Sequence, residues 1–138
     1  MVWAVTGNIK GPAGSPYDRT TTTVTTLSLA PGTSGQLAPV LGASWRLLYV
    51  ETTRAARLRF YVATSKVAAD AARSFMVAPS GDHGVLCEVI TGLSLGVHIT
   101  PAVDGFQLPA QQEAVLVVDN LDTVAGSVTV TLTWQRVE

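Results

Sequence analysis

From residue 20 to its end the chain alternates apolar and polar positions in short runs, separated by turn-forming residues. In the last run Val128, Val130, Leu132 and Trp134 fall on one side and Thr129, Thr131 and Thr133 on the other, the period-two pattern of a strand with one buried face. It follows the apolar run Ala114-Val115-Leu116-Val117-Val118 and a polar turn, Asn120 to Ser127, so residues 113–138 predict a β-hairpin. Ser44 to Thr52 places Trp45, Leu47 and Tyr49 on one face and Leu48 and Val50 on the other, as in a strand covered on both sides. Across Thr53-Arg54-Ala55, the run Arg57 to Val62 points Leu58, Phe60 and Val62 inward and Arg57, Arg59 and Tyr61 outward. These two runs predict a second hairpin, with Arg54, Arg57 and Arg59 on a solvated face paired to carboxylates such as Glu51.

The remaining elements follow from the same signals. Thr20 to Leu29 is a threonine-rich strand with Leu27 and Leu29 in phase, ended by Ala30-Pro31-Gly32. Gly35 to Leu41 is a short extended piece, and Val85–Thr91 and Ser94–Thr100 are further strands. Ser65 to Phe75 is the helical candidate, of one or two turns: Thr64 or Ser65 caps it, Val67 and Ala71 stand four apart, and Asp70 can pair with Arg73. Pro79 to Gly84 is a loop and Pro101 to Gln112 a connection. About eight strands and one short helix, with no internal repeat, predict an all-β fold: an antiparallel two-sheet β-sandwich, jelly-roll-like. It occupies residues 19–138. Residues 1–18 differ, because Gly7, Gly11, Pro12, Gly14 and Pro16 exclude a packed helix or central strand, and they predict an extended N-terminal arm.

Composition narrows the function classes. Of 138 residues 47% are hydrophobic and 14% charged, an apolar surplus that points to burial against partner chains. No apolar run approaches the roughly 20 residues of a membrane helix. Nine basic against ten acidic residues give no electrostatic footprint for nucleic acid or for an anionic membrane. The single cysteine, Cys87, lies in the apolar run Val85 to Ile90 and reads as a buried structural thiol. The N-terminus lacks the basic and apolar regions of a signal peptide.

Candidate chemistry is sparse. Ser80, Asp82, His83 and His98 are the residue types of a hydrolase triad, but no Gly-x-Ser-x-Gly elbow accompanies them, and Ser80-Gly81-Asp82 reads as a turn. His83 and His98 lack a third ligand at zinc spacing. Asp104, Asp119 and Asp122 are oxygen donors of the kind calcium takes, though Asx turns explain them equally. Trp45 and Trp134 are in phase with the core, which leaves Trp3, Tyr17 and Tyr61 as aromatics outside it and no sugar-binding cluster. The expectation is a non-enzymatic protein without cofactor or metal. The arm's Val2, Trp3, Val5, Ile9, Pro12, Pro16 and Tyr17 are its assembly contacts, since apolar groups on an arm need a surface to bury them.

A resemblance adds to this. The opening Trp3-Ala4-Val5-Thr6-Gly7-Asn8-Ile9-Lys10-Gly11-Pro12-Ala13-Gly14 resembles the starts of tailed-bacteriophage virion proteins, where a short opening leads into a Gly-Pro tract. Trp45 to Val50, Arg57 to Tyr61, Ala69 to Arg73, Val117 to Asp122 and Val128 to Leu132 are similar to the small β-sandwich modules of phage minor tail, head-fibre and capsid-decoration proteins. Only two Gly-X-Y triplets are present, too few for a collagen-like stalk. The resemblance implies a structural protein of the virion, assembled in the host cytoplasm, displayed on capsid or tail. Its partners would be other virion proteins and copies of itself, as a trimer. The alternative is a receptor- or glycan-binding module at a tail or fibre tip, using the loops around Pro79 to Gly84 and Pro101 to Pro109.

Overall fold

The computed structural model describes residues 18–71, 84–92 and 94–137. Its elements are β1 (Arg19–Thr25), β2 (Ser34–Leu37), β3 (Ser44–Thr52), β4 (Ala56–Tyr61), α1 (Thr64–Ala71), β5 (Val85–Thr91), β6 (Gly96–Phe106), β7 (Val115–Asn120) and β8 (Thr129–Arg136). Two four-stranded antiparallel sheets face each other, ordered β1-β8-β3-β6 and β2-β7-β4-β5. The pairs β1–β8, β2–β7, β3–β6 and β4–β5 nest inside one another. The chain is thus one long hairpin whose successive strand pairs go alternately to one sheet and the other, which is the jelly roll.

Alternation built the core as expected. Trp45, Leu47, Val50, Val128, Val130, Leu132 and Trp134 of the first sheet meet Ala56, Leu58, Phe60, Val89, Leu116 and Val118 of the second in one buried cluster. The rings of Trp45 and Phe60 bridge the sheets at 5.0 Å between centroids, within the range of favourable aromatic contact. Gly105 lies opposite Trp45 on β6, and a β-carbon there would run into the indole ring. The absence of a side chain is what lets that ring lie flat against β6.

Both predicted hairpins are corrected. β7 and β8 belong to different sheets, and so do β3 and β4. Alternation reports which face of a strand is buried, and strands facing each other across a core satisfy it as well as strands paired within one sheet. Thr53–Ala55 is a corner between sheets. The Thr53 N–H donates to Thr129 O and its hydroxyl accepts from the Thr129 N–H, which holds Thr53 in the first sheet. By Ala56 the chain is bound to Thr91 of the second. In the longer connection after β7, the buried Asn120 amide donates to Leu29 O and Val124 O and its oxygen accepts from Asp122 N–H. The connection is thereby tied to the β1–β2 loop and does not fold back on β7.

Three boundaries also differ. β3 is not apolar on both sides: it carries a β-bulge between Leu47 and Tyr49, so the inward phase passes from Trp45 and Leu47 to Val50 and Thr52. The first strand stops at Thr25 because the Thr26 hydroxyl donates to Leu27 O and accepts from Val128 N–H. Leu27 is then exposed while Leu29 is buried. Pro101 to Phe106 is strand, not connection; β6 is an edge, where a proline need not supply an N–H. The helix is described over Thr64–Ala71, within the expected stretch apart from its first residue, and Val67 packs on Tyr61, Val115 and Val117. The Asp70–Arg73 pair and helical residues 72–75 lie outside the described residues.

Candidate functional site

The topology sorts the connections to two ends. The loops after β1, β3, β5 and β7 share one end, where Leu29 bridges Gly126 and Arg54 donates to Val124 O at 2.9 Å. The loops after β2, β4 and β6 share the other, where Val40 bridges Glu113, Leu41 donates to Gln112 O and Leu108 donates to Val62 O. β1 begins and β8 finishes at this second end, since Arg19 pairs with Gln135. The first described residues, Asp18 and Arg19, therefore lie at this end. Phe106, Leu108, Val40 and Val137 are large, exposed apolar side chains at the same end. Phe106 and Val137 flank Ser44, one through the β3–β6 register and the other through Val137 N–H to Ser44 O. The opposite end exposes Leu27, Leu95, Leu121 and Val124 as well, so each end carries apolar groups that a contact could bury. Val40, Phe106, Leu108 and Val137 were missed in the sequence, although the signal was there: apolar residues beside prolines in Pro39-Val40 and Phe106-Gln107-Leu108-Pro109, where turn chemistry alone calls for polar ones.

The expected contacts Val2, Trp3, Val5, Ile9, Pro12, Pro16 and Tyr17 lie outside the described residues, as do Ser80, Asp82 and His83. His98 is exposed on β6, its ring 4.7 Å from that of Tyr49. The three aspartates considered for calcium are not brought together, because each has its own arginine. Asp104 takes Arg46 at 2.7 and 3.0 Å, Asp122 lies 3.8 Å from Arg54, and Asp119 takes Arg59 at 3.1 Å and Arg57 at 3.7 Å. Among the described residues no group of three or more His, Cys, Asp or Glu is arranged to hold a metal. The two loops proposed for a receptor tip are corrected in part: Pro101 to Phe106 is strand, while Gly84 and Leu108 both bond to Val62 at the end of the sandwich where β1 begins.

The arginines were expected in solvent, and two are not. Arg57 and Arg59 are 7% and 8% exposed, and Tyr61 is fully buried. On the outer face of the second sheet Arg57 donates to Glu88 at 2.8 Å, Arg59 donates to Asp119, and the Ser34 hydroxyl donates to Asp119 at 2.6 Å. The Arg59 guanidinium stands 5.8 Å from the Tyr61 ring centre. Two cations and two anions offset one another there: Arg57, Arg59 and Asp119 are buried, as paired charges can be, and Glu88 reaches water. Their partners come from β2, β5 and β7, strands far from β4 in sequence, so no local pattern announces them.

Elsewhere the electrostatics are mild. The hydrogen bond from Arg46 holds the Asp104 carboxyl below its ordinary range, and the same contact raises Arg46. Burial first, and the neighbouring Glu88 charge second, push the Cys87 thiol up, so it stays protonated at neutral pH and is a poor nucleophile. No helix among the described residues is long and apolar enough to cross a membrane. No protein-family model matches the chain, and comparison with curated proteins and with solved structures gives no significant match.

Proposed function

We propose that this chain is a non-enzymatic structural protein of a tailed bacteriophage particle, a jelly-roll domain displayed on the capsid or tail and anchored through residues 1–18. The observation that supports the reading is the end of the sandwich at which β1 begins. Residues 1–18, bearing Val2, Trp3, Val5 and Ile9, join the sandwich at the end where Phe106, Leu108, Val40 and Val137 are exposed. Attachment to other virion proteins at that end would bury both sets of apolar groups and leave the opposite end outermost. The charged residues support it, being used within the fold: Arg46 with Asp104 and the Arg57, Arg59, Glu88 and Asp119 network between strands, and Arg54 with Asp122 between connections.

Deleting residues 1–18 tests the anchor. The truncated sandwich is expected to fold with an unchanged far-ultraviolet spectrum and to be lost from purified particles. Normal incorporation would overturn the anchoring role.

A further inference from the structure

The two seams of the sandwich are unlike. Along one, the edge strands β5 and β6 touch across the gap between sheets; along the other, β1 and β2 make no comparable contact. A sheet edge is a template for another strand unless it is short, bulged, interrupted by proline or charged. Three edges here are blunted. β2 has four residues, β5 shifts register against β4 between Phe60 and Tyr61, and β6 shifts register and contains Pro101. β1 carries a single charge, Arg19 at its first position, and is otherwise regular: it runs to Thr25 in unbroken register with β8, and five of its seven residues are threonine.

The register also says which backbone groups β1 leaves open. Thr26 N–H donates to Val128 O at 3.0 Å, and facing alternates along an antiparallel ladder. Val24, Thr22 and Thr20 therefore bond to β8, while Arg19, Thr21, Thr23 and Thr25 turn their N–H and C=O groups away from it. The side chains agree. Hydroxyls of Thr23 and Thr131 meet at 3.3 Å and those of Thr25 and Thr129 at 3.0 Å, the close approach of pairs that exchange no backbone bonds.

We infer that this edge pairs with the same edge of a second copy, antiparallel about a two-fold axis at Thr22. Thr21 then meets Thr23 of the partner subunit and Arg19 meets Thr25 of the partner subunit, so outward-turned groups meet outward-turned groups in roughly eight backbone bonds. Each side chain keeps its face, no like charges oppose one another, and the threonine rows continue across the axis. Leu27, 87% exposed just beyond the strand, falls past the partner's Arg19, at the end of the same seam. A foreign strand would match the backbone, but only a second copy brings this register and a Leu27 on both sides. The closure is two-fold, in place of the trimer expected from the sequence. The strand pair alone is smaller than a standard interface of about 1,600 Å², so the dimer forms with concentration.

Sedimentation of the full chain over a concentration series is expected to pass from monomer to dimer mass. Thr23→Pro removes an N–H that turns away from β8 and should give monomer with an unchanged circular-dichroism spectrum. Thr21→Lys with Thr23→Lys sets like charges opposite each other across the axis and should do the same, which covers the case in which proline disturbs the strand. In the wild type, amide exchange at Thr21 and Thr23 should slow roughly tenfold or more on concentration, while Thr22, bonded to β8, is unaffected. A monomer at every concentration, a trimer mass, or a dimer that survives both variants would overturn the pairing. Incorporation of the arm-truncated chain into particles is a separate readout, so either reading can fail alone.

Discussion

Across the outer face of the first sheet one row reads Thr21, Thr133, Tyr49, His98 and the next Thr23, Thr131, Glu51, Gly96. The matching rows of the second sheet read Ser34, Asp119, Arg57, Ile90 and Gln36, Val117, Arg59, Glu88. The first face is rich in hydroxyls and largely reaches water; the second holds Arg57, Arg59 and Asp119 out of it, with Glu88 at its exposed margin. Composition would have ranked them the other way, with arginine and glutamate as the wet face and threonine as the neutral one. The difference teaches that a charge is no guide to exposure once its counter-charge stands on the neighbouring strand. α1 lies on the second face, with Val67 against Tyr61, Val115 and Val117.

Replacing Asp119 with alanine is the severest way to test that contrast. It would leave Arg59 and Arg57 short of a counter-charge in a buried setting and should destabilise by about 3–5 kcal/mol in urea denaturation. A loss under about 1 kcal/mol would mean that water reaches the network and the two faces are alike. Next come the tyrosines, one on each face. Tyr61→Ala empties a fully buried site and should cost about 3 kcal/mol, whereas Tyr49→Ala, half-buried beside His98, should cost about 1 kcal/mol. Equal losses would erase the distinction.

Smaller still are the threonine pairs. Thr23→Ala or Thr25→Ala breaks one exposed hydroxyl contact, and each should shift stability by about 0.2–1 kcal/mol; a larger loss would show that the first face depends on its side-chain pairs as heavily as the second. Last is the exposed Arg46–Asp104 bridge. Because Asp104 is held below its unfolded value, its contribution is present above the unfolded carboxylate range and fades as pH falls through the depressed folded value. Arg46→Ala should return the Asp104 carboxyl to the ordinary range in a nuclear magnetic resonance titration, with hardly any change in melting at neutral pH. A marked melting shift would show that this face too relies on charge.

How much of the molecule could be read beforehand depends on distance along the chain. The core positions Trp45, Leu58, Phe60, Val130, Leu132 and Trp134 were legible because burial of one strand face is a local, two-residue periodicity. The pairing of strands was not, and both hairpins drawn from sequence neighbours proved to be passages between sheets. At the candidate site, the arm's apolar residues could be named, but the exposed cluster at the end where β1 begins joins Val40, Phe106, Leu108 and Val137 from three separated stretches. The bulge at Leu48 hid in the same way. Its extra residue made β3 read as apolar on both faces, and only the register with β8 shows the change of phase.

By itself, then, the sequence determined that this is a two-sheet sandwich of about eight strands with one short helix, because turn residues and alternation act over a few neighbours. Only the tertiary structure decided which strands share a sheet, where Arg57, Arg59 and Asp119 are hidden, and which four strands form the edges. Those outcomes turn on partners tens of residues away. Alternation records that a face must be buried, and the fold chooses what buries it.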